Sequence, residues 1–337
     1  MNASQLPSFN CSSSSFPDSE EERNAFQQFC RCYIPPESWH TVAEVVLSKL
    51  LLVISILGNL LVIYVLQRMK RNGDQQSAMK LLIQNLSVAD MLVCIMYNVN
   101  EAIGIDSRFT TTPVCKLFAG LLWTTLSVSS CLICCVSAER YLAVVKPFDF
   151  ALDTRRTILL VGFSWYYSLV FTIPDFYFLT KLETPYCGKG IISYCSYDFM
   201  RGTDISVIYT MTVSATFLVP IFFIVCVNIA LIRSLLASQG SKLFRKFRPT
   251  IKDAKKRRGV VFIVLLLTAI FVVCSLPFAT YLMLNALDAT VPQQVVVVAY
   301  YLMLVNSTAN AFVYSFFSVE FRRNCKKLFL LPLNCFK

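Results

Sequence analysis

Glu139-Arg140-Tyr141 closes a long run of uncharged residues, and Asp90 stands alone inside another. Ionisable side chains are costly in apolar surroundings and persist where a partner, an ion or a conformational task keeps them. Glu139 offers Arg140 a carboxylate that can hold the guanidinium in a bidentate pair until something else attracts it. The candidate companions of Asp90 are uncharged and carry oxygen: Asn59, Ser129, Asn306, Ser307 and Asn310. A carboxylate among hydroxyl and amide oxygens suits a small hard cation, and a sodium ion at Asp90 is the expected one. No covalent cofactor is expected. The single histidine, His40, cannot build a His-metal cluster, and there is neither a phosphate-cradling glycine loop nor a nucleophile elbow. An enzyme is not indicated.

The elements that must position these residues are apolar. Of the 337 residues 56% are hydrophobic and 15% charged, against about 25% charged in a soluble chain. Ten glycines argue against a β-barrel. Uncharged segments of about 20 residues match a hydrocarbon slab of about 30 Å, and their backbone must bond internally as helix. Helices are expected at 43–67, 77–101, 112–145, 155–178, 204–237, 253–286 and 292–316. The fold class is therefore an all-α membrane protein, a seven-transmembrane helix bundle with a short amphipathic eighth helix. Residues 1–42 form an N-terminal tail, 43–316 the bundle, and 317–337 the amphipathic helix and short tail. In Val319–Leu330, Phe321, Leu328 and Phe329 oppose Arg322, Arg323, Lys326 and Lys327, which suits a helix lying on a membrane leaflet. Cys325 within it is a candidate for palmitoylation. Pro174, Pro220 and Pro277 should kink the fourth, fifth and sixth helices. No internal repeat is evident, which disfavours a transporter of duplicated halves. A transporter or channel remains the rival class, and it would need more ionisable groups along one pathway.

The net charge is +11, yet most of the 31 Lys and Arg cluster in Arg68–Lys80, Arg140–Arg156, Arg233–Arg258 and the tail from Arg322. These are alternate loops, so the charge is a positive-inside signal rather than a nucleic-acid surface. The basic run from Lys242 to Arg258 also suits anionic membrane lipid. Residues 1–40 lack an apolar leader segment, so the first helix is expected to act as a signal anchor with the N-terminus extracellular, in a multi-pass plasma-membrane protein. Asn2 and Asn10 open glycosylation sequons on that side. Cys11, Cys30, Cys32, Cys115, Cys187 and Cys195 also fall there, an even set that permits disulfides.

From residue 43 to 330 the chain resembles a rhodopsin-like (class A) G-protein-coupled receptor. The likeness rests on Gly58-Asn59, Leu86-Ser87-Val88-Ala89-Asp90, Cys115, Glu139-Arg140-Tyr141, Trp165, Pro220, Phe271 with Cys274-Ser275-Leu276-Pro277, Asn310-Ala311-Phe312-Val313-Tyr314 and Phe321. It implies that an outside ligand moves helix 6 outward inside and admits a heterotrimeric G protein. Arg140 would meet the G protein, Pro147-Phe148 would offer it an apolar knob, and Tyr314 would stabilise the open state. Three positions depart from the pattern: Ser275 where a Trp is usual, Ala311 for Pro, and Asn228 for Tyr. Arg257 stands where some relatives carry an acid that locks the helix 3 arginine. Arg140 and Arg257 would repel, which implies a weak latch and basal signalling.

By the same resemblance a ligand cavity would be lined by Leu122, Trp123, Leu126, Tyr209, Ser275, Phe278, Tyr281 and Tyr300. Glu101 would be its anionic handle, with Asp175 and Asp204 adding an acidic rim. Amine receptors carry an Asp where Leu122 stands, and photopigments carry a Lys where Leu304 stands. An extracellular peptide with a basic or amino-terminal group is the first expectation. Ile192-Ser193-Tyr194-Cys195-Ser196-Tyr197-Asp198 is similar to the opsin outer loop, so an opsin relative without the chromophore lysine, sensing a small molecule, is the second. In that context Cys115 pairs with Cys195, and Cys187 is the alternative partner.

Overall fold

The computed structural model describes residues 39–68, 74–105, 111–145, 153–186, 190–197, 203–240, 251–287, 289 and 291–330. Helix α1 runs Trp39–Arg68, α2 Asp74–Ile105, α3 Thr112–Val145 and α4 Thr154–Phe178. Strands β1 (Leu179–Tyr186) and β2 (Gly190–Tyr197) follow. Helix α5 runs through Thr203–Val213, a π-helical turn at Ser214–Leu218, and Val219–Gly240. Helices α6 (Ile251–Ala286), α7 (Gln293–Phe317) and α8 (Val319–Leu330) complete the order. Among the described residues seven helices, α1 to α7, are long and apolar enough to cross a membrane.

Burial runs opposite to that of a water-soluble protein. On α4 the inward residues are Thr157, Ser164, Ser168, Thr172 and Asp175. Ile158, Leu159, Phe163, Tyr166 and Ile173 face outward. A lipid solvent rewards this arrangement, because polar groups must find partners between helices. The hydroxyls of Thr124 (α3) and Thr172 (α4) do so, 2.8 Å apart. Small residues let the backbones close up. A Cβ on Gly58 would lie 2.9 Å from the Ala311 Cβ, and one on Gly120 would lie 2.7 Å from the Phe176 ring. Asp153 caps α4 by accepting from the Arg156 amide at 2.7 Å.

Pro220 stands two residues after the end of the π turn. It has no N–H, and its ring would crowd the carbonyl four residues back in a regular helix. The wider turn, closed by the Val219 amide on the Ser214 carbonyl, relieves that conflict. Tyr167 of α4 donates to the Ala215 carbonyl inside the turn at 3.2 Å.

The stretch 179–203, between the expected fourth and fifth helices, carries an antiparallel hairpin paired from Leu179↔Tyr197 to Tyr186↔Gly190. Pairing gives the backbone internal hydrogen bonds where the chain re-enters the bundle. Leu179 and Tyr197, at the base of the hairpin, are both buried in the core of that end. At the opposite end Phe321 seats α8 on Val62, Val65, Leu66 and Tyr314.

Candidate functional site

Functional side chains gather at three depths. Midway, Asp90 of α2 is completely buried. Ser129 of α3 donates to its Oδ1 at 2.8 Å, and Asn310 of α7 donates Nδ2 to its Oδ2 at 2.7 Å. One carboxylate thus ties three helices. Asn59 of α1 donates to the carbonyls of Ser55 (3.0 Å) and Ser307 (3.2 Å), joining α1 to α7. Asn306 and Ser307 are buried. The amide oxygens of Asn59, Asn306 and Asn310 have no hydrogen-bond partner. Carbonyl oxygens of this kind, beside a carboxylate, are what a hard monovalent cation takes as ligands. Among the described residues no cluster of three His, Cys, Asp or Glu could hold a metal.

At the end of α3 remote from the hairpin, Glu139 and Arg140 form an ion pair with the Glu139 carboxylate buried and the guanidinium largely so. Their contact is electrostatic rather than a directed hydrogen bond, since the facing atoms find no aligned partner. The buried hydroxyl of Tyr314 and the buried amide oxygen of Asn228 are also unpartnered. Tyr141 is half-buried at the same end. Pro147 and Phe148 lie outside the described residues, as does the Arg257 side chain. Cys325 is half-buried on α8 against the Phe321 cluster, and burial pushes its thiol above the usual range.

At the hairpin end Cys115 of α3 and Cys195 of β2 form a disulfide, fixing the hairpin over the bundle. Beneath it Leu122, Trp123, Leu126, Tyr209, Phe278, Tyr281 and Tyr300 pack in one cluster. Ser275 is buried one turn below Phe278. These expected lining residues are thus brought together. Glu101 is placed apart from them, against α1. Its Oε2 lies 2.9 Å from Lys49 Nζ and accepts from Ser48 at 3.1 Å, while Lys49 also donates to Asn98 at 2.8 Å. A ligand cation would therefore meet a carboxylate already matched with an ammonium. Asp175 does not sit on a rim. It is completely buried in α4, accepts a hydrogen bond from the Tyr197 hydroxyl, and has its second oxygen unpartnered. The side chain of Asp204 lies outside the described residues, as do Asn2, Asn10 and Cys187.

Sequence reasoning missed Lys49 as the partner of Glu101, Tyr197 as that of Asp175, and Phe217 as a member of the aromatic cluster. For Lys49 a signal existed: it is a charged residue within an apolar segment.

The family model described as 7 transmembrane receptor (rhodopsin family) matches residues 58–314. The Tachykinin-like peptides receptor 99D of Drosophila melanogaster is 23% identical over 305 residues, covering 86% of this chain and 57% of that protein. The chain thus spans little over half of that relative. Apelin receptor A of Danio rerio is 26% identical over 304 residues, covering 83% and 80%. Melanopsin-A of Danio rerio is 26% identical over 216 residues, covering 60% and 33%.

Proposed function

Because the chain belongs to the rhodopsin family of seven-transmembrane receptors, we propose that it carries the binding of an extracellular peptide across the membrane to a heterotrimeric G protein. The N-terminus and hairpin face outside, and the Glu139–Arg140 end faces the G protein. The observation that carries this reading is the division of labour along the bundle. A disulfide-tied hairpin overlies an aromatic cluster at one end, a largely buried ion pair lies at the other, and a buried carboxylate ties three helices between them. A ligand that prefers the open arrangement shifts the population toward it, and Arg140 is then free to leave Glu139 for the G protein. The peptide class draws support from relatives named as receptors for tachykinin-like peptides and apelin.

A sodium ion fits the middle site on its donor set: the Asp90 carboxylate, the Ser129 hydroxyl, and the unpartnered amide oxygens of Asn306 and Asn310. Bound there, it would supply a charge that favours the closed packing of α2, α3 and α7.

The second reading, an opsin relative that senses a small molecule, draws on the similarity to Melanopsin-A. Leu304 is fully buried and α7 contains no lysine, so this helix offers no amine for a retinal Schiff base. The test is expression with a promiscuous G protein and exposure to a peptide library. Nucleotide exchange driven by a peptide is expected. Solute flux without exchange would overturn the reading in favour of a transporter, and exchange driven only by small apolar molecules would favour the second reading.

A further inference from the structure

Pro220 removes one donor from the backbone ladder of α5. The π turn decides which carbonyl goes without. In regular helix the Ala215 carbonyl would accept from the amide of Val219, four residues on. Here that amide donates to the Ser214 carbonyl instead, five residues back. The amide that π pairing would then offer Ala215 belongs to residue 220, a proline, which has none. Its own helix thus leaves the Ala215 carbonyl without a donor, and Ala215 is buried. Lipid supplies no water in exchange, so the group needs a partner from another element.

That partner comes from α4. The Tyr167 hydroxyl donates to the Ala215 carbonyl at 3.2 Å. Two rings of its own helix flank Tyr167, Phe171 at 4.5 Å and Phe163 at 6.1 Å between centroids. A second bond runs the other way, nearer the hairpin. Thr212 of α5 donates its hydroxyl to the Phe171 carbonyl at 3.4 Å, beside the break that Pro174 makes in α4. Helix α4 meets α5 through Thr203–Val213 and the π turn, and hardly at all through Val219–Gly240. Tyr167 therefore ties the innermost part of that contact.

A π turn holds one residue more than a regular turn. Were it to close to regular helix, the residues before it would swing by about 100° around the helix axis, at 3.6 residues per turn. Ile205, Tyr209 and Val213, which are buried, would then turn away from the core. We propose that Tyr167 is a positioning residue for α5: it supplies the donor that Pro220 lacks, holds the π turn, and so fixes which face of the outer half of α5 walls the ligand cavity. Its bearing on ligand binding rests on the receptor reading. The tether itself does not, and it is tested without ligand or G protein, so its failure would leave that reading standing.

The experiment uses full-length protein in lipid nanodiscs and reads amide hydrogen exchange in residues 214–219 of α5. Wild type is compared with Tyr167→Phe, Tyr166→Phe, Pro220→Ala and the double variant Tyr167→Phe with Pro220→Ala. Tyr166 faces outward on the same helix, so Tyr166→Phe is the control for loss of a phenol hydroxyl. Losing one hydrogen bond between membrane helices should raise local opening about threefold to tenfold. Tyr167→Phe is expected to speed exchange by that factor and Tyr166→Phe to leave it unchanged. Pro220→Ala restores an amide, so the Ala215 carbonyl regains a donor within α5 and Tyr167→Phe should add nothing in that background. A tyrosine that merely packs would have the same effect in both backgrounds. That result would overturn the tether, as would exchange that Tyr167→Phe leaves unmoved or that Tyr166→Phe speeds equally. Should Pro220→Ala fail to fold, Tyr167→Phe against Tyr166→Phe decides alone.

Discussion

Replacing Asp90 by Ala should cost stability and replacing it by Asn should not, and the structure says why. The alanine removes the acceptor of two hydrogen bonds between helices, from Ser129 at 2.8 Å and Asn310 at 2.7 Å. The Ser129 hydroxyl can turn back to a carbonyl in its own helix, as Ser130 does to Leu126. The Asn310 amide loses its interhelical acceptor and stays unpaired unless it rotates onto the carbonyl four residues back, as Asn59 does onto Ser55. Hydrogen bonds between membrane helices contribute roughly 0.6 kcal/mol on average and up to about 1.7. An orphaned buried donor costs about 1–3 kcal/mol. Asp90→Ala should therefore lose roughly 1–3 kcal/mol, or about 2–10 °C in Tm at the sensitivity of a mid-sized domain. Asp90→Asn keeps an acceptor oxygen and adds an N–H₂ where the amide oxygens of Asn306 and Asn310 stand unpartnered. Its Tm should be unchanged or raised. Unfolding followed with a thiol-reactive dye reads this directly, because Cys94 and Cys274 are buried and free. Run in choline chloride, the measurement isolates hydrogen bonding. Repeated in sodium chloride it tests the ion, since a cation at 100 times its Kd adds about 2.7 kcal/mol to any form that binds it. The wild type should gain from sodium and Asp90→Asn should not. An Asn variant that melts as low as the Ala variant refutes the hydrogen-bond reasoning, and one that responds to sodium like the wild type refutes the placement of the ion.

Four further outcomes follow from other contacts. Gly120→Val drives a side chain into the Phe176 ring, whereas Gly162 faces open space, so the first should cost about 1–3 kcal/mol in thermal unfolding and the second under about 0.5. Glu101→Lys sets two cations together beside Asn98, and the exchange Lys49→Glu with Glu101→Lys should recover the loss, which stays under about 1 kcal/mol because Lys49 is about half exposed. If Glu101 also meets a basic peptide terminus, the double exchange restores surface expression but not agonist potency. Cys115→Ser and Cys195→Ser should reduce surface expression equally, with the double variant no worse than either, whereas a larger defect in the double variant would point to separate roles for the two thiols. Basal nucleotide exchange should exceed that of empty membranes at matched receptor density, and Arg257→Glu should lower it by giving Arg140 a second carboxylate; unchanged exchange would locate the latch elsewhere.

Some residues announced their importance in the sequence because membrane solvent makes exceptions conspicuous. Asp90 and Arg140 stand out among uncharged neighbours; Asp90 is buried and Arg140 half-buried, and each has polar partners from the expected set: Ser129 and Asn310 for one, Glu139 for the other. The seven helices were legible for the same reason, since apolar length is a one-dimensional property. Pairings across helices were not, because they depend on rotation about each helix axis, which the near-uniform apolarity of these segments leaves undetermined. Glu101 illustrates the gap: its position near the end of a helix suggested a free carboxylate, yet the rotation of α1 delivers Lys49 to it. Asp175 fails in the opposite direction. Its place near the end of α4 suggested a wet rim, while the hairpin folds over it and Tyr197 seals it in. The hairpin itself was hidden because eight-residue strands in a Cys-bearing loop have no strong alternation to show.

The same reasoning explains why the aromatic residues were the hardest to assign. A buried ring in lipid gains little from burial alone, since the solvent outside is equally apolar. Its value lies in what it touches, which for Trp123 means one ring on a π turn and another beside a proline. Ser275 leaves the turn below Phe278 without a large side chain of its own. The rings that pack on Phe278 at that turn include two from neighbouring helices, Trp123 of α3 and Phe217 of α5. A Ser275→Trp variant would compete with Trp123 for that space. It should lower surface expression when Trp123 is present and recover it when Trp123→Ala makes room, and an additive defect in the double variant would show that the two positions do not share one volume.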